Sequence, residues 1–412
     1  MYLHAAQVTG SASEFQETSE FGDVNVRRSS RALELQSQVS QLLNKMNIAV
    51  IYGGDKNEDG SVIHKSHNPR SWKSYETVAR DIANSLMRLG GKNICILPDD
   101  MRLPHRLSER GIDFAWLNTG GVQGFASVAH TAATLEMLGL PYVGHDPLNG
   151  AVMDSKHSFK RMMMGSGIPT ARFITWHGSE GAFDPENHVR FNTIFHNFDG
   201  PFVVKPVSGR ASLNVEYVPT REKLGEVMDN IFELTQNFVL VEQFLSGREF
   251  CIAACGPVVV RGGVLEKLDE PFTFAAVERA LDPGENIFTS MDHKPITADR
   301  IRLLDPIKDR QVMTRLHNLA RAVVTELDIN TLIRLDVRED EAGNLFVLES
   351  NPKPDLKAPT RDGVTSIISA SLDQYGMSYD DLIHSLLADQ IDVLFSRHRG
   401  SVHHLLKHLD TN

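Results

Sequence analysis

Residues 46–54, MNIAVIYGG, form an apolar run closed by two glycines. A strand that is apolar on both faces must be covered on both, which is the situation of a parallel strand inside an α/β layer. After a polar loop, KSYETVARDIANSLMRLGG sets Tyr75, Val78, Ala79, Ile82, Ala83, Leu86 and Leu89 on one helical stripe, and Gly90 and Gly91 stop it. KNICILP and GIDFAWLN read as further strands, and TAATLEMLG reads as a helix before LPYVGH. Strand and helix alternate, so residues 48–152 are expected to form a parallel α/β domain.

Downstream the strands dominate. SKHSFKRMMMGSG is helical, FITW, GPFVVKPV and LNVEYV are strands, and EKLGEVMDNIFELTQ is a helix. NFVLVEQFL, REFCIAACG, VVVRGGVLE, the helix QVMTRLHNLARAVVTELD and the pair LIRLDVRED and LFVLESN follow. The expected division is a polar extension at 1–47, the α/β domain at 48–152, a central lobe at 153–238, a β-rich C-terminal lobe at 239–395 and a tail at 396–412. SSRALELQSQVSQLLNKM adds a short helix before the first domain. The fold class is α/β combined with α+β, in three units, as expected for 412 residues.

Composition removes several functions. A formal charge of −11 with no basic run argues against a nucleic-acid surface. Cys95, Cys251 and Cys255 are too few for a disulfide framework and are not spaced as a zinc knuckle, so they read as core thiols in a reducing compartment. No window reaches 18 apolar residues, and MYLHAAQVTGSASEFQETSEF lacks the basic-then-apolar order of a secretory signal. The expectation is a cytoplasmic enzyme that binds neither membrane nor nucleic acid.

No G-x-x-x-x-G-K-[ST] follows a strand and no G-x-G-x-x-G opens a helix. DKNEDG imitates the start of a calcium loop, but Ser66 stands where a bidentate Glu is required. His404 and His408 have the spacing of a zinc helix without its Glu, and read as part of a solvated tail helix.

The hairpin-like pair at 332–351 carries the strongest signal. Arg334 and Asp336 share one strand face, as do Glu349 and Asn351, and the EDEAGN turn allows the two polar pairs to lie opposite each other. Asp336, Glu349 and Asn351 offer oxygen ligands that suit Mg²⁺ bound with substrate phosphates, and Arg334 would hold a transferring phosphoryl group or an oxyanion. Other candidates are weaker alone. Lys205 ends the apolar strand of VVKP, Lys156 and Lys160 sit one helical turn apart in MDSKHSFK, and Glu242 and Glu249 bracket VEQFLSGREF. Snorkelling, a solvated helix face and a surface turn would give the same patterns.

Taken in order, LEMLGLPYVGH, the MDSK helix, FVVKP, VEQFLSGREF and LIRLD…GNLFVLESNPKP make the chain resemble the D-alanine–D-alanine ligase branch of the ATP-grasp family, from residue 48 to 395. The resemblance implies ATP and Mg²⁺ held between two β-rich lobes, an acceptor oxygen that is phosphorylated, and an amine that displaces the phosphate. It implies that Lys156 and Lys205 contact the ATP phosphates and adenine region, that Glu242, Phe244 and Leu245 form the adenine hinge, and that Glu249 binds ribose. Asp336, Glu349 and Asn351 would carry Mg²⁺, and Arg334 the acyl-phosphate-like oxygen. The partners implied are a small-molecule acceptor, an amino acid and, as in similar proteins, a second copy in a homodimer.

The chain departs from that family where substrates are read. The His-Gly…Gly-Glu-Asp-Gly stretch is LNTGGVQGFASVAH, and the Gly-Ser-Ser-x-Gly phosphate loop is reduced to Ser212 within RASLN. FAAVERALDPGEN, with Glu278 and Arg279, stands where a lysine–tyrosine pair is expected. The Asn-x-x-Pro-Gly turn is NPKPD, and Thr360 and Arg361 fall near the expected Ser-Leu pair. An enlarged loop brings His64, Asn68, Arg70, Trp72 and Lys73 as candidates for reading a polar acceptor. Retained phosphoryl machinery beside rewritten pockets implies a changed substrate. Ligation of serine or threonine onto mycosporine-glycine is the leading expectation, D-alanine–D-alanine ligation the alternative, and a non-catalytic ATP-binding module the reading from a different class.

Overall fold

A computed structural model describes residues 30–68, 72–209, 212–282, 284–287, 300–359, 366–397 and 403–409. After helix α1 (Ser30–Lys45) come strands β1 (Asn47–Tyr52), β2 (Asn93–Pro98), β3 (Phe114–Asn118) and β4 (Tyr142–Val143). They form a parallel sheet in the order β2-β1-β3-β4. Alternation along β1 decides what covers each face. Ile48 and Val50 pack with Val39 and Leu42 of α1 and with Val78, Ile82 and Leu86 of α2 (Glu76–Arg88). Ala49 and Ile51 face the other way, onto Leu103 and Leu107 of α3 (Leu103–Glu109) and Leu135 of α4 (His130–Met137).

Helices α5 (Pro147–Asp154) and α6 (Lys156–Gly165) lead to an antiparallel sheet of β5 (Phe173–Trp176), β6 (Phe202–Pro206), β7 (Glu216–Val218) and β8 (Val239–Gln243), ordered β5-β8-β6-β7. Helices α7 (Val189–Ile194) and α8 (Leu224–Thr235) close its core around Trp176, Phe191, Phe195 and Phe202. β8 thus belongs to the central sheet, although the sequence division opened the C-terminal lobe at 239.

The third sheet contains β9 (Glu249–Cys255), β12 (Phe272–Thr273), β13 (Val277–Arg279), β14 (Ile301–Leu303), β15 (Ile333–Glu339) and β16 (Leu345–Asn351), ordered β14-β13-β9-β15-β16 with β12 also on β9. Its apolar face packs on Leu316, Ala320 and Val323 of α9 (Arg310–Glu326) and on Met153, Phe159 and Met163 of α5 and α6. The helix that begins at Lys156 is therefore mounted on the C-terminal sheet, whereas the sequence division put it in the central lobe.

Between β9 and β12 a separate hairpin, β10 (Val258–Arg261) and β11 (Val264–Lys267), lies against α10 (Tyr379–Arg397). Among the described residues no strand pairs with the outward N–H groups of β10. Val258 N donates to Asp389 Oδ1 (3.1 Å), Val260 N to Ser385 Oγ (2.8 Å), and Gly262 and Gly263 N to Asp381 (3.2 and 2.8 Å). Positions i, i+4 and i+8 of one helix face thus serve as the missing edge. Leu382, Leu386 and Ile391 of α10 join the core of the first sheet, so this late helix also covers the N-terminal domain. The last helix, α11 (His403–Leu406), is docked rather than solvated. Leu405 is buried, His404 Nε2 sits 2.9 Å from the Asp113 carbonyl, and Lys407 and His408 each lie 3.3 Å from the Asp113 carboxylate, which accounts for the paired histidines without a metal.

Candidate functional site

The central and C-terminal sheets face each other across an open cleft of about 790 Å³. Short apolar strands end in polar residues at this edge. β6 delivers Lys205, β8 delivers Glu242 and continues into Phe244 and Leu245, β9 begins at Glu249, β13 ends at Arg279, and β15 and β16 supply Asp336, Arg338 and Glu349. Lys156 at the start of α6 and the exposed Ser212 also line it.

Burial makes the charges here depend on one another. Glu242 is held between Lys205 Nζ (2.5 Å) and Lys160 Nζ (2.9 Å). Burial would push its carboxyl up, but the two ammonium groups more than offset this and hold it at about 2. Arg279 Nη1 bridges Glu249 (3.0 Å) and Asp336 (3.1 Å), and Arg338 reaches the other oxygen of Glu249 (3.4 Å). Asp336 also accepts from Arg334 Nε (2.9 Å) and from the Cys251 thiol (3.3 Å). Against burial, Arg279 and Arg334 keep its carboxyl well below the usual range. Glu349 pairs with Lys156 at 3.2 Å and is likewise lowered despite burial.

The strand pairing places Arg334 opposite Asn351 and Asp336 opposite Glu349, the opposition expected from the sequence. The register then shifts, and Val337 meets Val347. Leu348 is the extra residue of this bulge, and its side chain lines the cleft next to Glu349. Among the described residues no three His, Cys, Asp or Glu groups converge as a metal cage. Two facing carboxylates among lysines and arginines suit Mg²⁺ that arrives with phosphate oxygens, since that ion takes one or two carboxylates plus substrate phosphates. The residues present therefore fit both ATP and Mg²⁺.

Of the sequence candidates, Lys156, Lys205, Ser212, Glu242, Phe244, Leu245, Glu249, Arg279, Asp336 and Glu349 meet at the cleft. Arg334 flanks it through Asp336. Asn351 lies just beyond, its carboxamide oxygen accepting from Lys353 N at 3.0 Å. Glu278, expected to touch substrate, is instead spent on a surface network with Arg248 (2.7 Å) and Arg302 (2.5 Å). Arg279, grouped with it for substrate, pairs with Glu249 and Asp336 in the cleft. His64, Asn68, Trp72 and Lys73 stand on the loop above β1, away from the cleft lining; Trp72 Nε1 donates to the Gly53 carbonyl at 3.1 Å. Arg70, Thr360 and Arg361 lie outside the described residues.

Two participants escaped the sequence reading. Lys160, taken for a solvated helix face, is fully buried against Glu242. Arg338 lines the cleft and stacks over Phe244 at 4.7 Å. The available signal was period two: Arg334, Asp336 and Arg338 alternate along one strand. Among the described residues no helix is long and apolar enough to cross a membrane.

The family described as D-ala D-ala ligase C-terminus matches residues 162–388. A protein of Sinorhizobium fredii, named only as uncharacterized y4sG, is 28% identical over 68% of this chain and 74% of its own length. The D-alanine–D-alanine ligase of a Synechococcus species is 22% identical over 84% of this chain and 93% of its own. The crystal structure of the Bacillus anthracis D-alanine–D-alanine ligase complexed with ATP superposes with a TM-score of 0.59 and 20% identity, covering 85% of this chain and 99% of that one. At that identity the structural likeness is one of fold, the ATP-grasp fold.

Proposed function

Because the chain belongs to the D-ala D-ala ligase C-terminus family of ATP-grasp C–N ligases, which use ATP and Mg²⁺ and yield ADP and phosphate, we propose that its cleft activates the carboxylate of one small amino acid or related acid and joins it to the amine of an amino acid. The observation that carries this reading is the convergence of Lys156, Lys205, Arg279 and Arg338 with the facing Asp336 and Glu349. Lysine and arginine side chains lining one cleft beside two facing carboxylates are what a polyphosphate bound with Mg²⁺ would use.

In this reading Mg²⁺, when bound, supplies charge neutralisation between triphosphate oxygens, with Asp336 and Glu349 as its protein donors and Asn351 beside them. Lys156 and Lys205 draw the phosphates towards the facing strands. Phe244 and Leu245 give the adenine an apolar seat, and Glu249 reaches the ribose. Arg334, fixed by Asp336, faces the oxygen that takes up charge as the phosphoryl group moves. Ser212 is the remaining hydroxyl of the phosphate loop. Catalysis then rests on positioning and electrostatics, with no side-chain nucleophile.

Of the two substrate readings raised by the sequence, the relative and the solved structure named D-alanine–D-alanine ligase favour that chemistry over ligation of serine or threonine to mycosporine-glycine. The test is phosphate release from Mg-ATP with D-alanine, with other D- and L-amino acids singly and in pairs, and with serine or threonine plus mycosporine-glycine. Glu349→Ala is the control. Release that requires an amino acid and disappears in Glu349→Ala supports the reading. ATP binding without release for any pair would return the protein to the class of binders.

A further inference from the structure

The loop between β1 and α2 reaches beyond its own domain. It first crosses the loop that follows β3, where Gln123 Nε2 donates to the His64 carbonyl at 2.5 Å and the His67 ring centroid stands 6.2 Å from that of Phe125. His67 Nε2 then lies 3.1 Å from the Thr235 carbonyl, at the C-terminus of α8 in the central lobe. A carbonyl oxygen can only accept, so Nε2 is the nitrogen that donates. The carbonyls of a last helical turn have no partner inside their helix. In α8, Gln236 answers two of them: its N–H and its side chain reach the Phe232 carbonyl, and its side chain also reaches the Glu233 carbonyl. His67 takes the Thr235 carbonyl, at the end of the helix where the dipole favours a donor.

What stands next to this contact gives it a role. Trp176 and Pro206 both pair with Val239, so the start of β8 and the end of β6 lie at one end of the central sheet, where the chain runs from β6 into the phosphate loop. Asn237 Nδ2 donates there to the Ser208 carbonyl (3.1 Å) and hydroxyl (2.9 Å), and Val207 N donates to the Phe238 carbonyl (2.9 Å). Lys156 N donates to the Val207 carbonyl at the same place, also at 2.9 Å. Gly209 and Ser212 follow into the cleft lining. Ser212 and Asn214 hold φ 54° and 57°, in the left-handed region where a side chain is strained. Such a shape persists only where neighbours enforce it. A line of contacts that can do so runs from His67 through Thr235 and Asn237 to Ser208.

We propose that His67 is a positioning residue for the nucleotide. Its loop is tied to the N-terminal domain through Gln123, and its imidazole braces the turn from α8 into β8. Through Asn237 that brace holds the phosphate loop in the shape that receives the triphosphate. This role rests on the ligase reading, in which the loop around Ser212 meets ATP. His67 touches no substrate; it acts through Asn237 and Ser208. The enlarged loop after β1, expected from the sequence to read the acceptor, thereby also serves the nucleotide.

The experiment is calorimetric titration of the full chain with Mg²⁺ and a non-hydrolysable ATP analogue. His67→Ala should bind the analogue about fivefold more weakly, the scale of one neutral hydrogen bond. His67→Gln keeps a side-chain donor and should stay within about twofold of the parent. Asn237→Ala should itself weaken binding, and adding His67→Ala to it should change nothing further, because the route to the phosphate loop is already cut. Asn237→Leu, which keeps the volume without the donor, serves the same comparison if Asn237→Ala does not fold. His67 is exposed, so both His67 variants should keep the melting temperature of the unloaded parent, which separates positioning from loss of fold. Parent-like affinity in His67→Ala, no rescue by His67→Gln, or the full loss repeated in the Asn237 background would each overturn the proposal. Failure of the parent to bind the analogue would instead remove the ligase reading. The brace is then judged on the unloaded chain by amide exchange at residues 236–239, and exchange no faster in His67→Ala would overturn it.

Discussion

Lys160 and Glu242 form an ion pair shut away from water: Nζ lies 2.9 Å from Oε2, with side-chain exposures of 0% and 3%. Lys160 does not line the cleft, whereas Lys205, on the other carboxylate oxygen, does. Lys160 thus balances Glu242, and Glu242 aims Lys205. Removing Glu242 leaves two buried ammonium groups facing each other, while removing Lys160 leaves one buried pair intact. Glu242→Gln is expected to cost about 3–5 kcal/mol of stability and to weaken Mg-ATP binding, and Lys160→Met to cost less and to bind nucleotide nearly as the parent does. Denaturant titration and nucleotide binding on both variants check this; equal loss of affinity in the two would refute the division of roles. Glu242 is held at about 2, below its usual 4.5, so its contribution is complete above pH 4.5 and disappears as pH falls towards 2. Glu242→Gln should lack that acid-sensitive component.

Asp389 is perturbed in the opposite direction. One oxygen accepts from Val258 N, and burial pushes its carboxyl up to about 7, helped by the nearby Asp392. A folded carboxyl that binds its proton more tightly than the unfolded one loses stability as pH rises. The loss begins above the usual value of 3.8 and is complete past pH 7. Asp389→Asn keeps an acceptor for Val258 and should flatten this slope, gaining on the order of 3 kcal/mol relative to the parent at pH 8 compared with pH 4. Melting temperature against pH for both proteins is the measurement; parallel curves would refute it.

The legible part of the fold was wherever one element's pattern alone decides its fate. The alternation from MNIAVIYGG to LPYVGH gave the parallel sheet, and the polar pairs of LIRLD and LFVLESN gave the facing Asp336 and Glu349. What escaped depends on tertiary partners. Nothing local says that α6 packs on the third sheet, and that placement is what buries Lys160 and turns a solvated-looking lysine into a structural one. Nor does the sequence of α10 reveal that Asp381, Ser385 and Asp389 will meet the N–H row of a hairpin more than a hundred residues earlier. Glu278 and Arg279 both fall where the resembled family carries a lysine–tyrosine pair, yet adjacent strand residues point to opposite faces, and only Arg279 reaches the cleft.

Cys251 tests how tightly the strand proposed to hold Mg²⁺ is specified. Its thiol lies 3.3 Å from Asp336 Oδ1 on the neighbouring strand, and burial pushes it up to about 12. It is therefore a neutral donor to the carboxylate throughout the working pH range. Cys251→Ser retains a donor and should stay close to the parent, whereas Cys251→Val removes it and should raise the Mg²⁺ concentration needed for half-maximal phosphate release by several-fold. Metal titration of the two variants distinguishes them, and coincident curves would exclude a role for the thiol.

His145 joins the first domain to the base of that strand. Its Nε2 lies 3.2 Å from the Leu332 carbonyl, just before β15, and burial pushes the imidazole down to about 4. The group is neutral when folded, so the unfolded chain takes up its proton first as pH falls. The stability tied to neutral His145 is complete above pH 6.5 and is lost as pH drops towards 4. Asp389 acts oppositely over much of the same interval, gaining stability on acidification, and so offsets part of that loss. The variants separate the two contributions. Asp389→Asn should steepen the fall in melting temperature from pH 6.5 to 4, and adding His145→Gln should remove the part due to His145, leaving the part due to His317, whose imidazole burial also pushes down to about 4. A double variant as acid-sensitive as Asp389→Asn alone would show that His145 is already protonated in the fold.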